Sequence, residues 1–164
     1  MSQLELITSK ILSPVLLQKA LNFWRFQEKK IVFTNGCFDI LHLGHLDYLS
    51  KAKDLGHVLI VGLNTDESVK RLGKKGNRPI NSEHARAMLL ASLRVTDAIV
   101  LFNEDTPYEL IKTVQPDVLV KGNDYKAEDI IGYDIVKAKG GEVATISLVE
   151  GYSTTSIIHK IQTG

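Results

Sequence analysis

Five short, almost unbroken apolar runs, separated by stretches of helical periodicity, constrain the fold of this chain more than any other feature. They lie at 31–35, 58–63, 98–102, 117–121 and 142–147. A strand with one wet face alternates apolar and polar residues, whereas continuous runs predict parallel strands covered on both faces. The stretches between them carry helix signals. Ser13 before Pro14 and Thr106 before Pro107 each fit an N-cap followed by proline at the first helical position. Ser82 caps a stretch in which Ala87, Leu90, Ala91 and Val95 recur at helical spacing. Gly140-Gly141 ends another helix, and Ser153 caps a last one carrying Ile157, Ile158 and Ile161. The alternation predicts an α/β fold, a Rossmann-like parallel sheet of about five strands with helices on both faces and right-handed crossovers. One domain is expected over 13–164, with residues 1–12 as a loose arm or a dimer contact.

Bulk properties narrow the class. The 164 residues suit a single core, and 44% hydrophobic with 24% charged residues is ordinary for a soluble globular chain. A net charge of +1 supplies no global field for nucleic acid, so any anion site must be local. No apolar run nears the roughly 20 residues needed to cross a bilayer, and residues 1–10 lack the apolar core of a secretory signal. A cytoplasmic protein with neither nucleic-acid nor membrane partners is expected. The single cysteine, Cys37, leaves no internal disulfide framework.

In open α/β sheets, ligands sit beyond the carboxyl ends of the strands, near a topological switch point. The segments there are 36–45, 64–66, 103–105, 122–125 and 149–155. The most informative follows the first strand: Gly36-Cys37-Phe38-Asp39-Ile40-Leu41-His42-Leu43-Gly44-His45. A turn leads into a helix beginning near Gly44, whose unpaired N–H groups and positive dipole end favour phosphate. His42 and His45 project to one side of that start and can donate to phosphate oxygens, whose charge favours their protonated forms. Two histidines at this spacing are also half a metal site, but no further His or Cys cluster completes one. Neither G-x-x-x-x-G-K-[ST] nor G-x-G-x-x-G occurs.

The segment resembles the signature of the cytidylyltransferase-like superfamily of α/β nucleotidyltransferases. Val61-Gly62-Leu63-Asn64-Thr65-Asp66-Glu67 is similar to that family's second-strand segment, and Arg78-Pro79-Ile80 with Glu83 and Arg86 to its middle helix. Lys121-Gly122-Asn123-Asp124-Tyr125 and Glu150-Gly151-Tyr152-Ser153-Thr154-Thr155 resemble its base-binding and closing motifs, in family order from about Lys30 onward. Two subfamilies compete. Glycerol-3-phosphate cytidylyltransferases carry an Arg ahead of the closing motif where this chain has Leu148, and leucine cannot make a charge-assisted contact to nucleotide. The text is closer to the adenylyltransferase part of ADP-heptose synthases, through Thr34-Asn35-Gly36, Lys70-Arg71-Leu72, Arg78 to Asn81, Glu104 to Pro107 and Asp117 to Tyr125.

That resemblance implies transfer of AMP from ATP to D-glycero-β-D-manno-heptose 1-phosphate, with Mg²⁺ accompanying the triphosphate. It places His42, His45, Lys74 and Lys75 in catalysis. Thr34, Asn35, Gly36, Phe38, Asp39, Gly44, Arg86, Lys121, Gly122, Asp124, Ser153, Thr154 and Thr155 would bind nucleotide, and Asn64, Tyr125 and Thr34 are candidates for the sugar. Asp39 has two further readings, an approach to Mg²⁺ and a buried carboxylate accepting backbone N–H groups. Arg86 is read as a phosphate contact or a surface ion pair. Related enzymes are often homodimers, and a separate heptose kinase would supply the sugar 1-phosphate.

Overall fold

The computed structural model describes residues 1–73 and 77–163. The five apolar runs form β1 (Ile31–Gly36), β2 (Val58–Asn64), β3 (Ala98–Phe102), β4 (Val118–Gly122) and β5 (Glu142–Ile146). They make one parallel sheet in the order β3-β2-β1-β4-β5. The helices are α1 (Gln3–Thr8), α2 (Pro14–Phe26), α3 (Leu43–Lys53), α4 (Asp66–Arg71), α5 (Glu83–Ser92), α6 (Tyr108–Val114), α7 (Tyr133–Ala138) and α8 (Thr154–Thr163).

Both faces of β1 to β4 are covered, which is why these strands do not alternate, whereas the edge strand β5 is buried only in part. Val32, Leu59, Val61, Ile99, Val118 and Val120 face Tyr48, Leu49 and Ala52 of α3 and Ala87, Leu90 and Ala91 of α5. Ile31, Phe33, Val58, Ile60, Ala98, Val100 and Leu119 face Leu17 and Leu21 of α2, Ile111 and Val114 of α6, and Val136 of α7. Each such aliphatic side chain contributes about 1.5–3 kcal/mol by leaving water. β4 starts one residue later than expected because Asp117 takes another task. Its carboxylate accepts the Ile31 N–H at 2.8 Å.

Local signals set most helix starts. Ser13 caps α2 with Pro14 in its first turn, and Ser82 caps α5 by accepting the Ala85 N–H at 3.3 Å. Thr106 does not cap α6; Pro107 occupies that position without a side-chain cap. Residues 1–12 are not a loose arm. Ser2 and Glu5 close a capping box on α1. Leu12 then donates to the Ile99 carbonyl at 2.9 Å, and Ile99 donates to the Lys10 carbonyl at 2.8 Å. The Lys10 ammonium reaches the Leu93 and Thr96 carbonyls at 3.1 and 2.9 Å. The reason is physical: β3 is an edge strand, and its backbone groups otherwise lack partners. No described helix is long and apolar enough to cross a membrane.

β1 is flanked by β2 on one side and β4 on the other, so the chain reverses its direction of travel across the sheet between them. A crevice opens at the carboxyl ends of β1 and β4.

Candidate active site

A cavity of about 390 Å³ occupies that crevice. Its floor is the turn after β1. Phe38 sits at φ +45°, and its ring folds back over Gly36, where a Cβ would lie 2.9 Å from Phe38 Cε2. The left-handed backbone at Phe38 and the bare Gly36 are therefore one device. The Phe38 ring stands 5.1 Å from that of His45, which stacks on His42 at 3.8 Å.

His42 is the N-cap residue of α3, yet its side chain makes no capping hydrogen bond. The imidazole and the first N–H groups of the helix thus face the cavity together. Gly44 makes room for this arrangement, since a Cβ there would meet the His42 ring at 3.0 Å. Among the described residues, His42 Nδ1 and Asn35 Oδ1 are buried polar atoms with no hydrogen-bond partner, each costing about 1–3 kcal/mol until a ligand supplies one. Burial holds the His42 pKa below the usual histidine value, so the ring is neutral at pH 7 before an anion arrives.

Opposite stands Lys121 at the end of β4. Its ammonium is 3.5 Å from the Asn35 carbonyl and 5.9 Å from the centre of the Tyr125 ring. Burial lowers its pKa to about 8, against the opposing pull of Asp124 and Cys37. Gly122 lets Asp124 fold back against the strand, because a Cβ there would lie 2.6 Å from Asp124 Oδ1. The rim is closed by Leu148, Val149, Tyr152, Ser153 and Thr154. Ser153 Oγ accepts the Ser156 N–H at 3.0 Å, so it caps α8 from the cavity side.

Most of the expected residues meet here: Asn35, Gly36, Phe38, Asp39, His42, Gly44, His45, Lys121, Gly122, Asp124, Tyr125, Ser153 and Thr154 line the one cavity. Others do not. Thr34 is buried, with its hydroxyl 2.8 Å from that of Tyr48, which in turn donates to the Val120 carbonyl. Asn64 is buried against Ser68, to which its amide donates at 2.9 Å. Thr155 lies off the cavity wall. Arg86 is neither a phosphate contact nor a surface pair: it is fully buried and donates to the Asn81 and Cys37 carbonyls and to Asp66. It pins the turn after β1 from beneath. Lys74 and Lys75 fall outside the described residues.

Asp39 takes the structural role. Its two oxygens accept the Ile80 and Asn81 N–H groups and the Arg78 Nε at 2.8–2.9 Å. Burial by itself would raise its pKa, but the backbone N–H groups of Asn81 and Ile80 and the Arg78 guanidinium outweigh it and hold the carboxyl below its usual range. With its acceptors filled, Asp39 is not placed as a Mg²⁺ ligand. Among the described residues no group of three His, Cys, Asp or Glu side chains gathers to hold a metal. Arg78 and Tyr48 also line the cavity and were not expected there, and so does Tyr152, which lies in the expected 149–155 segment without an expected role. Arg78 reaches it through a partner 39 residues away, which no local pattern announces.

The sequence profile of the cytidylyltransferase-like family matches residues 33–160. The chain is 62% identical over 134 residues to the bifunctional protein HldE of a Nitratiruptor species, covering 82% of this chain and 28% of that one. It is 54% identical over 154 residues to the bifunctional protein HldE of Wolinella succinogenes, covering 93% and 31%. It thus spans less than a third of the length of these curated relatives. Among solved structures, the lipopolysaccharide core biosynthesis protein from Thermoplasma volcanium superposes with a TM-score of 0.62 at 31% identity, over 76% of this chain and 99% of that one. Pantoate-beta-alanine ligase from Francisella tularensis, with a TM-score of 0.60 at 16% identity over 93% and 76%, shares the fold. The match runs from β1 into α8 and takes in both walls of the cavity, and the chain belongs to the cytidylyltransferase-like family.

Proposed function

We propose that this chain transfers AMP from ATP to D-glycero-β-D-manno-heptose 1-phosphate, giving ADP-heptose and pyrophosphate. The observation that carries the reading is the stacked His42–His45 pair at the side-chain-uncapped start of α3, facing Lys121 across one cavity. Such a site neutralises polyphosphate without an activated side-chain nucleophile. An acceptor phosphate needs none, because it is already ionised. One of its oxygens attacks the α-phosphorus, the bond from that phosphorus to the bridging oxygen of the β-phosphate breaks, and pyrophosphate leaves with the electron pair. The residues hold the reactants in line and stabilise charge on the leaving group. His42, neutral while the site is empty, takes up a proton as phosphate charge comes close. Mg²⁺ bound to the triphosphate would supply charge screening, and it would rely on the nucleotide's oxygens, since among the described residues no three His, Cys, Asp or Glu side chains gather to hold it.

Leu148 supports ATP over CTP, since it lines the cavity where glycerol-3-phosphate cytidylyltransferases carry an Arg. The relatives support the acceptor, being bifunctional proteins that resemble this chain over a single portion of their length. The solved neighbour at 31% identity is named for lipopolysaccharide core biosynthesis. In this reading a sugar kinase activity located elsewhere supplies the 1-phosphate, the protein works in the cytoplasm, and it pairs as a homodimer. The test is pyrophosphate release with ATP, CTP, GTP and UTP, each against heptose 1-phosphate and glycerol 3-phosphate. ATP-selective turnover with the heptose is expected, and CTP-selective turnover with glycerol 3-phosphate would overturn the assignment.

A further inference from the structure

The salt bridge between Asp39 and Arg78 leaves a guanidinium half used. Arg78 donates from Nε to Asp39 Oδ2 at 2.8 Å, and its side chain is only 9% exposed. Among the described residues this is the hydrogen bond its side chain makes, although a guanidinium carries five N–H donors. The remaining donors sit on the two terminal nitrogens. Arg78 lines the same cavity as His42, His45 and Lys121.

Asp39 does not simply cancel this charge. Its oxygens also accept two backbone N–H groups, so the carboxylate is shared among three donors. A buried cation with open donors is costly unless an anion completes it, and the planar guanidinium fork matches paired phosphate oxygens. The carboxylate on the Nε edge fixes the plane in advance, so little rotamer freedom is lost when the anion arrives. We infer that Arg78 is a phosphate-binding residue of this cavity, offering its terminal Nη donors to a phosphoryl group while Asp39 holds its Nε edge. The inference rests on the transfer reading for the identity of that group: the polyphosphate of the nucleotide, or the phosphate of the acceptor. A purely structural role would be to pin the 78–81 segment to the turn after β1.

The experiment is calorimetric binding of ATP, inorganic pyrophosphate and heptose 1-phosphate, each separately, to the wild-type chain and to Arg78→Gln. Loss of one charge-assisted contact predicts at least about tenfold weaker binding of the phosphate that Arg78 holds. Weakening of ATP and pyrophosphate places it on the nucleotide, and weakening of heptose 1-phosphate alone places it on the acceptor. Unchanged affinity for all three overturns the inference. Should Arg78→Gln not fold, ¹⁵N side-chain spectra of the native protein decide. The Arg78 Nη signals move on saturation with the phosphate it holds, and Nη signals that stay put in all three saturated complexes overturn it. A native protein that binds these phosphates but releases no pyrophosphate would instead remove the transfer reading and leave Arg78 as a phosphate ligand.

Discussion

At the scale of single residues, two groups are proposed to carry the chemistry, and each gives a measurable outcome. His45 stacks on His42 and meets the Phe38 ring at a tilt, on the side of α3 that faces the cavity. His45→Ala is expected to lower kcat by about 100-fold or more, as removal of a preorganised donor does elsewhere. Its Tm should fall by only a few degrees, because His45 is half-buried and meets the core at the Phe38 ring; an unchanged rate would end the assignment. Lys121 gives a pH signature of two parts. With its pKa brought to about 8 by burial, the free site loses its cation above that point, and kcat/KM should fall there. The stability slope has the opposite sense. Between about 8 and the unfolded value near 10.4, the unfolded chain holds a proton that the folded chain does not, so stability rises with pH. Lys121→Met should abolish both effects. It should raise stability at pH 7 by up to ~3 kcal/mol while turnover collapses, as melting curves and rates across pH 6–10 would show.

At the scale of elements, much was legible because the cause was local. Ser13 and Ser82 cap the helices that follow them, within three residues of the N–H groups they accept. β1 to β4 were legible because burial on both faces leaves long apolar runs, and only strand ends moved. Thr34 was misassigned through the period of two in a strand. It follows Val32 onto the face that α3 covers, so it points into the sheet packing and not beyond the strand end. Arg86 did carry a signal: it stands four residues before Leu90, on the buried stripe of α5, where a charge can persist only if fully paired. The start of the chain carried almost none, since only three residues, 10–12, cover the edge of β3. Deleting residues 1–12 is expected to cost about 2–4 kcal/mol in hydrogen bonds and buried side chains, and to expose an edge prone to pairing between chains. A lower Tm with concentration-dependent light scattering would show it, and an unchanged Tm would mean the contact is idle.

At the scale of the molecule, the sheet order was recoverable in kind but not in detail. Strand–helix alternation points to a doubly wound sheet, while the choice of β4 as the second neighbour of β1 depends on contacts 86 residues apart. The same separation explains the site. The histidines come from the turn after β1, the lysine from the end of β4, the rim from the entry to α8, and Arg78 from the 78–81 segment. Each piece resembles its family on its own, and only the folded chain shows that Arg78 joins them.

The β1–β4 pairing also sets an order in time. A ribosome delivers the histidine turn some eighty residues before the strand that bears its opposing lysine. The first three strands can pair with one another while the emerging chain is still only an unfinished sheet. Closing so long a loop is the slow, entropically costly step, and nothing resembling a phosphate cavity exists until it is complete. A chain stalled or cut between β3 and β4 would keep both histidines and yet lack the lysine that faces them, so the two walls of the cavity come together only once β4 has paired with β1.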